Sequence, residues 1–136
     1  MPVRVRWNDD GKRSILAEFE PGWAWADYLD ATVEMTAMMA TVSHTVDLIA
    51  DIRGTAMPPP GQALQTLAKA FNTAPDNLGL NVVVGANPVI RTILQLLKTV
   101  TMNKAASNFR FADTPAAAEQ VLLEEWAAQE AYSEAG

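Results

Sequence analysis

The period of the hydrophobic pattern changes several times along the chain, and each change predicts a new element. Val3–Trp7 alternates between apolar residues and arginine, and Ile15–Glu20 alternates again after Asn8–Gly11, a segment rich in turn-forming residues. Alternation at a period of two is typical of a half-buried strand. The chain is therefore predicted to open with a β-hairpin.

Helical and strand patterns then follow one another along the rest of the chain. Apolar residues recur at helical spacing over Trp25–Val42. Further strands are predicted at Val46–Ile52, Leu80–Val84 and Phe109–Phe111, and each precedes a helix that begins near a proline. Strands joined through helices are parallel, with right-handed crossovers. We therefore predict one α/β domain over residues 1–136, with a mixed five-stranded sheet built from the N-terminal hairpin and three βα units.

The strand patterns also predict how the helices are distributed. Strands that are buried on both faces have continuous apolar runs, whereas these strands mostly alternate. The alternation predicts helices mainly on one face and an open, half-polar opposite face. To the open face we assign Arg4, Arg6, Glu18, Glu20, Asp47, Asp51, Asn81 and Arg110, which surround Leu16, Ile49 and Val83.

Charge and composition exclude several classes of function. The net charge of −6 opposes phosphate backbones and no basic stripe compensates for it, so we expect no nucleic-acid partner. The absence of cysteine excludes disulfides, a thiolate nucleophile and cysteine-bound zinc. The first residues lack the apolar segment of a signal peptide, and residues 37–50, the most apolar region, are too short and too polar to span a bilayer. We therefore expect a cytoplasmic protein without a membrane span.

The residues that could carry chemistry do not form a catalytic motif. His44 is the only histidine, and it lies where a helix returns to a strand, at the edge of the sheet opposite to the usual site of parallel α/β folds. A lone histidine forms neither a triad nor a metal centre, so we interpret His44 as a connector. We expect no enzymatic activity, no cofactor and no metal.

Polar residues gather where the parallel strands end, which is where such folds form their sites. The helices that follow have N-termini that favour anions. Arg53 and Arg91 are candidate ligands for a carboxylate or phosphate, and Asn87 is a candidate hydrogen-bond donor. Alternatively, Asp51 and Asp113 simply neutralise the two arginines. The candidate set for a ligand or partner is Asp51, Arg53, Thr55, Asn87, Arg91 and Asp113.

The third predicted helix has more apolar surface than one sheet-facing stripe requires. Its first stripe consists of Ile90, Ile93, Leu94 and Leu97. Its second stripe, which we take as the candidate interface, consists of Val89, Leu96 and Val100. The second stripe is bordered by the basic residues Arg91, Lys98 and Lys104. Such a surface indicates a partner interface or the wall of an apolar pocket, and the alternative is ordinary contact with the sheet and the neighbouring helices.

The order of elements and two short segments resemble the STAS domain of anti-sigma-factor antagonists, the SpoIIAA-like group. Val46–Gly54 is similar to the family strand that ends in Asp-x-Ser-Gly. Asn108–Pro115, followed by Ala116–Ala118 and Leu122, is similar to the last strand and its alanine-rich helix. In place of the phosphorylated serine turn of the family, this chain has Pro58–Gly61 without a hydroxyl group, so a phosphorylation switch is not implied.

The resemblance implies a module for regulation or protein interaction, or a relative that holds an apolar ligand. We therefore expect a non-enzymatic regulatory or interaction module that binds a protein partner or associates with itself as a homodimer. The alternative is a carrier or sensor of a small apolar or amphipathic ligand held between the helices and the sheet.

Overall fold

The predicted order of strands and helices is confirmed. The computed structural model describes residues 2–100 and 108–135. The strands are β1 (Val3–Trp7), β2 (Ser14–Phe19), β3 (Val46–Asp51), β4 (Leu78–Val84) and β5 (Phe109–Ala112). The helices are α1 (Trp25–Met39), α2 (Ala63–Asn72), α3 (Pro88–Val100) and α4 (Pro115–Ala135).

The five strands form one mixed sheet in the order β1-β2-β3-β4-β5. Strand β1 is antiparallel to β2, and each later strand is parallel to the one before it. Every crossover therefore moves the chain in the same direction across the sheet. Because such crossovers are right-handed, α1, α2 and α3 all lie on one face, where they cover the larger apolar core.

The fourth helix lies on the opposite face, which the strand pattern predicts to be open. Ala118 and Leu122 of α4 are buried against Ile49, Val82 and Val84. Helix α4 follows the last strand and makes no crossover, so the handedness rule does not fix its face. The prediction of an open second face is thus wrong over β3, β4 and β5, although three of the four helices share one face as expected.

The remaining part of that face, over β1 and β2, carries paired charges. Arg4 pairs with Glu20 across the hairpin, and Arg6 Nη1 lies 2.8 Å from Glu18 Oε1. All four side chains are substantially exposed. Exposed pairs of this kind contribute little to stability, so the hairpin is held mainly by its apolar side facing α1.

The predicted alternation of β4 is wrong by one position. Asn81 and Val83 face the helices α1–α3. The alternate residues Leu80, Val82 and Val84 face α4. The cause is a bulge: Val46 of β3 pairs with Leu78, but Leu48 pairs with Asn81, so β4 has one extra residue there. An extra residue reverses which face the following side chains occupy. Asn81 therefore lies beneath the three helices.

A buried carboxylate at the bulge fixes α4 to the sheet. Asp47 is 4 % exposed, and its Oδ1 accepts a hydrogen bond from the Leu80 N–H at 2.7 Å. Its Oδ2 accepts one from the Trp126 indole N–H at 2.6 Å. A Cβ at residue 79 would lie 2.3 Å from Asp47 Oδ1, so this position requires Gly79. The Arg13 guanidinium lies over the Trp126 ring, 4.1 Å from its centroid. Asp47 thus links the bulge to the last helix.

Candidate functional site

A cluster of aromatic residues forms where β2 turns into α1. We define the aromatic cluster as Phe19, Trp23, Trp25 and Tyr28. Neighbouring ring centroids are 4.9 Å apart for Phe19 and Trp23, 5.1 Å for the two tryptophans and 5.8 Å for Trp25 and Tyr28, all in edge-to-face geometry. This geometry is favourable for aromatic pairs. The sharp entry into α1 thus gathers four rings at one end of the helical layer.

Local backbone chemistry fixes the turn that presents these rings. Gly22 has a positive φ of 87°, which a glycine adopts without steric cost. The Asp27 carboxylate accepts a hydrogen bond from the Ala24 N–H at 2.8 Å and so caps the start of α1. Trp23 and Trp25 therefore emerge from a defined turn and not from a freely moving loop.

Beside this cluster the helices α1–α3 and the sheet enclose a half-open cavity of about 120 Å³. Its floor includes Ala50 and Asn81, and Phe109 contributes from the edge strand. Ile90, Ile93 and Leu94 of α3 form one wall. The other lining residues are the aromatic cluster, Ala17, Met35, Leu48, Ile52, Thr55, Pro58, Ala63, Leu67, Phe71 and Val83. The lining is almost wholly apolar. An apolar cavity of roughly 150 Å³ holds benzene, so this somewhat smaller, half-open space is of the size order of a one-ring molecule.

The two indole N–H groups at the cavity are already satisfied by the protein. Trp23 Nε1 donates to the Thr55 hydroxyl at 2.8 Å, and Trp25 Nε1 donates to the carbonyl of Pro59 at 3.0 Å. Both bonds reach the loop between β3 and α2, so this loop is tied to the aromatic cluster. Consequently the two tryptophans offer only carbon surface to a cavity occupant.

The Tyr28 hydroxyl differs, because it has no hydrogen-bond partner among the residues that the structure describes. Tyr28 lines the cavity and also a second, smaller space of about 50 Å³ between α1 and α2. Burial raises the pKa of the Tyr28 hydroxyl far above its usual range. The residue as a whole is half-buried, and its unpartnered oxygen keeps some accessible surface. Tyr28 therefore supplies a neutral donor and acceptor at an apolar site.

This raised pKa predicts an alkaline loss of stability. The folded protein keeps the Tyr28 proton at a pH where the unfolded chain releases it, near pH 10. The stabilisation is therefore fully present below about pH 10 and is lost as the pH rises further. Urea unfolding at pH 9 to 11 should show the free energy of unfolding falling as the pH rises, and the fall should be smaller in Tyr28→Phe. In a Tyr132→Phe background, tyrosinate absorbance near pH 10 in a folded protein would contradict the prediction.

The predicted residues after β3 are engaged in bonds within the protein. Arg53 makes two hydrogen bonds to the Asp51 carboxylate, Nε to Oδ1 and Nη2 to Oδ2, both at 2.9 Å. These bonds raise the pKa of the Arg53 guanidinium above its ordinary value. Arg53 also packs on Gly85, where φ is +80° and a Cβ would lie 2.9 Å from the Arg53 Cα. Thr55 is buried and belongs to the cavity.

The predicted residues after β4 and β5 lie at the same edge of the sheet. Asn87 caps α3 by accepting the Ile90 N–H at 3.1 Å, and its amide donates to the Ala56 carbonyl at 2.5 Å. Arg91 Nε donates to the Ala86 carbonyl at 3.0 Å, and its guanidinium covers the Phe111 ring. Asp113 is exposed and forms no ion pair with Arg91 in the described ranges. Arg53, Asn87 and Arg91 are thus each engaged in hydrogen bonds within the protein.

The two stripes of α3 have different surroundings. Ile90, Leu94 and Leu97 of the first stripe are buried, and Ile93 lines the cavity. In the second stripe Val89 is 45 % exposed and Leu96 is 50 % exposed. The side chain of Val100 and the whole of Lys104 lie outside the described residues. Ile90, Ile93 and Leu94 of the first stripe thus form a cavity wall, whereas the second stripe contributes apolar surface to the outside.

His44 takes the position of a connector. It is exposed, and its Nε2 lies 2.9 Å from the Lys12 carbonyl oxygen. Within residues 2–100 and 108–135, no three His, Asp or Glu side chains are grouped so that they could hold a metal ion. None of the described helices combines the length and the apolar character needed to cross a bilayer.

Comparison with known proteins gives no family for the chain. No protein-family model matches it, and no curated protein is significantly similar to it.

The lining residues of the cavity were not among the predicted site residues, except for Thr55. In the sequence the aromatic cluster reads as ordinary core, because aromatic residues at helical spacing are usually buried. One signal was present: Trp23, Trp25 and Tyr28 follow Pro21-Gly22 within a few residues. Three aromatic side chains so close together, directly after a turn, exceed what one helix needs to cover a sheet, and this excess could have indicated a binding site.

Proposed function

We propose that the protein is a non-enzymatic binding module for a small apolar or amphipathic molecule, which it holds between the helices α1–α3 and the sheet. The observation that supports this proposal is the cavity of about 120 Å³ with its almost wholly apolar lining. Close packing leaves few voids in protein interiors, and an unfilled apolar space lowers stability. A role in ligand binding would explain why the protein retains this cavity.

The packing of the two sheet faces supports the same proposal. On the α4 side the helix lies directly against β3, β4 and β5. On the cavity side α2 and α3 pack mainly against each other, and neither approaches the strands as closely as α4 does. The space beneath α2 and α3 thus reflects how far these two helices stand from the sheet.

The binding energy would come from removal of apolar surface from water, worth about 25 cal/mol per Å². Toluene, which has one ring and no polar group, is a suitable first probe. We expect isothermal titration calorimetry to show one toluene site per chain with a Kd at or below about 1 mM, equivalent to about −4 kcal/mol. Absence of any saturable binding over the soluble range of toluene would contradict the proposal.

A second candidate function is protein interaction, as the resemblance to STAS domains implies. The exposed Val89 and Leu96 support it, because they lie two turns apart on the same side of α3, and exposed apolar side chains that share a surface favour a partner. The occupant that we propose is a second copy of the chain. Exposed Glu119, Glu124 and Glu130 make α4 acidic, whereas Arg91 and Lys98 lie about 180° around the α3 axis from Val89 and Leu96 and so do not border this pair.

Light scattering tests this second candidate. We expect a dimer of the wild type, which Leu96→Asp converts to a folded monomer. Gln95→Asp, which places the same charge on the adjacent exposed position, should leave the dimer intact. A monomeric wild type, or equal effects of both substitutions, would exclude self-association through this surface.

A further inference from the structure

We infer that the occupant of the cavity is a single-ring aromatic molecule with one hydrogen-bonding group, such as a phenol, whose polar atom binds the Tyr28 hydroxyl. This inference rests on the proposed function and narrows it to a ligand class. Three observations carry it: the size of the cavity, the nature of its walls and the distribution of its polar groups.

The size limits the ligand to about one ring. The cavity of about 120 Å³ is somewhat smaller than the space of roughly 150 Å³ that holds benzene in another protein. The smaller space next to it shares Tyr28, Met35 and Phe71 as lining residues. A long acyl chain would extend beyond the cavity, into this smaller space or out of the open side, whereas a single ring would not.

The walls favour an aromatic ligand over an aliphatic one. Six aromatic side chains line the cavity, four in the aromatic cluster and the other two at Phe71 and Phe109. Phe71 and Phe109 meet edge to face with their centroids 5.3 Å apart. Each ring has a negative face and a positive edge, so a further ring gains edge-to-face contacts that an aliphatic molecule of equal size lacks.

The polar groups favour one hydrogen bond at a defined place. Trp23 and Trp25 direct their N–H groups to the protein, and Thr55 accepts one of them. The Tyr28 hydroxyl has no partner among the described residues, and Asn81 on the floor is the remaining polar side chain of the lining. Because the Tyr28 oxygen keeps some accessible surface, a ligand hydroxyl can reach it and form a hydrogen bond with it. A ligand without a polar atom would leave the Tyr28 hydroxyl unpaired.

Four probes of similar size separate these features. Phenol has both the ring and the hydroxyl, toluene has the ring alone, cyclohexanol has the hydroxyl on an aliphatic ring, and 1-hexanol has a linear chain. Calorimetric titrations would use the wild type, Tyr28→Phe and the matched control Tyr132→Phe, which changes an exposed tyrosine. Retained toluene binding shows that Tyr28→Phe has kept the cavity intact.

We expect Tyr28→Phe to weaken phenol binding about tenfold and to change toluene binding less than about twofold, while Tyr132→Phe changes neither. The wild type should bind phenol several times more tightly than cyclohexanol or 1-hexanol. If Tyr28→Phe weakens phenol and toluene equally, or if 1-hexanol binds more tightly than phenol, the ligand class is wrong while the proposed function stands. If none of the four probes binds, the proposed function fails together with this inference.

Discussion

Replacement of Asp47 by alanine is expected to lower the free energy of unfolding by about 3 kcal/mol. The change removes the acceptor for two hydrogen bonds, from the Leu80 N–H and from the Trp126 indole N–H. Hydrogen bonds to a charged group are worth about 1.5–3 kcal/mol each, and buried donors left unpaired add a desolvation cost. For a domain of this size the melting temperature should fall by roughly 10 °C.

The matched control for this prediction is Asp113→Ala, which removes an exposed carboxylate without a partner in the described part of the chain. This substitution should change the free energy of unfolding by less than about 0.5 kcal/mol. Urea unfolding followed by circular dichroism gives both values. If the two substitutions lower the free energy of unfolding equally, Asp47 does not hold α4 to the sheet, and the two hydrogen bonds assigned to its carboxylate would be wrong.

Filling the cavity is expected to abolish toluene binding and to leave the fold intact. Ala50 lies on the cavity floor in β3, and a leucine there would extend its side chain into the space that a ring would occupy. We expect Ala50→Leu to weaken toluene binding more than about thirtyfold. Stability should change by less than about 1.5 kcal/mol, because the new side chain enters unfilled space and does not displace close-packed atoms.

Ala116→Leu provides the matched control, since it makes the same change at an exposed position of α4. It should bind toluene like the wild type. Ala63→Leu, at the start of α2, fills the cavity from the opposite wall and should reproduce the effect of Ala50→Leu. Unchanged toluene affinity in both filled variants would mean that toluene binds elsewhere on the protein.

Much of the fold could be predicted because the strands and helices have distinct periods. The hairpin, the order of elements along the chain and the parallel direction of the later strands follow from alternation, from turn residues and from the helices between the strands. Which strand lies next to which in the sheet was not predicted. The position of α4 could not be predicted in this way, since no crossover constrains a terminal helix. The bulge in β4 could not be predicted either. Every residue from Leu80 to Val84 except Asn81 is apolar, so apolar side chains are buried in either register of the strand.

The candidate site was harder to predict than the fold. Charged residues at the strand ends are natural candidates for a binding site in a sequence. In the structure, however, Arg53 is paired with Asp51, and Arg91 lies over an aromatic ring. The cavity instead depends on how far α2 and α3 stand from the sheet, which is a property of tertiary packing. No spacing in the sequence reveals whether Trp23 and Tyr28 fill the space between layers or surround a void.

The indole N–H signals in a ¹H–¹⁵N NMR spectrum, followed during titration with toluene, test the central claim most directly. The chain has four tryptophans, of which Trp23 and Trp25 line the cavity whereas Trp7 and Trp126 do not. The account predicts that the Trp23 and Trp25 signals move in a saturable manner while the other two stay in place. Unmoved Trp23 and Trp25 signals, or equal shifts of all four, would contradict a specific apolar site between the helices and the sheet.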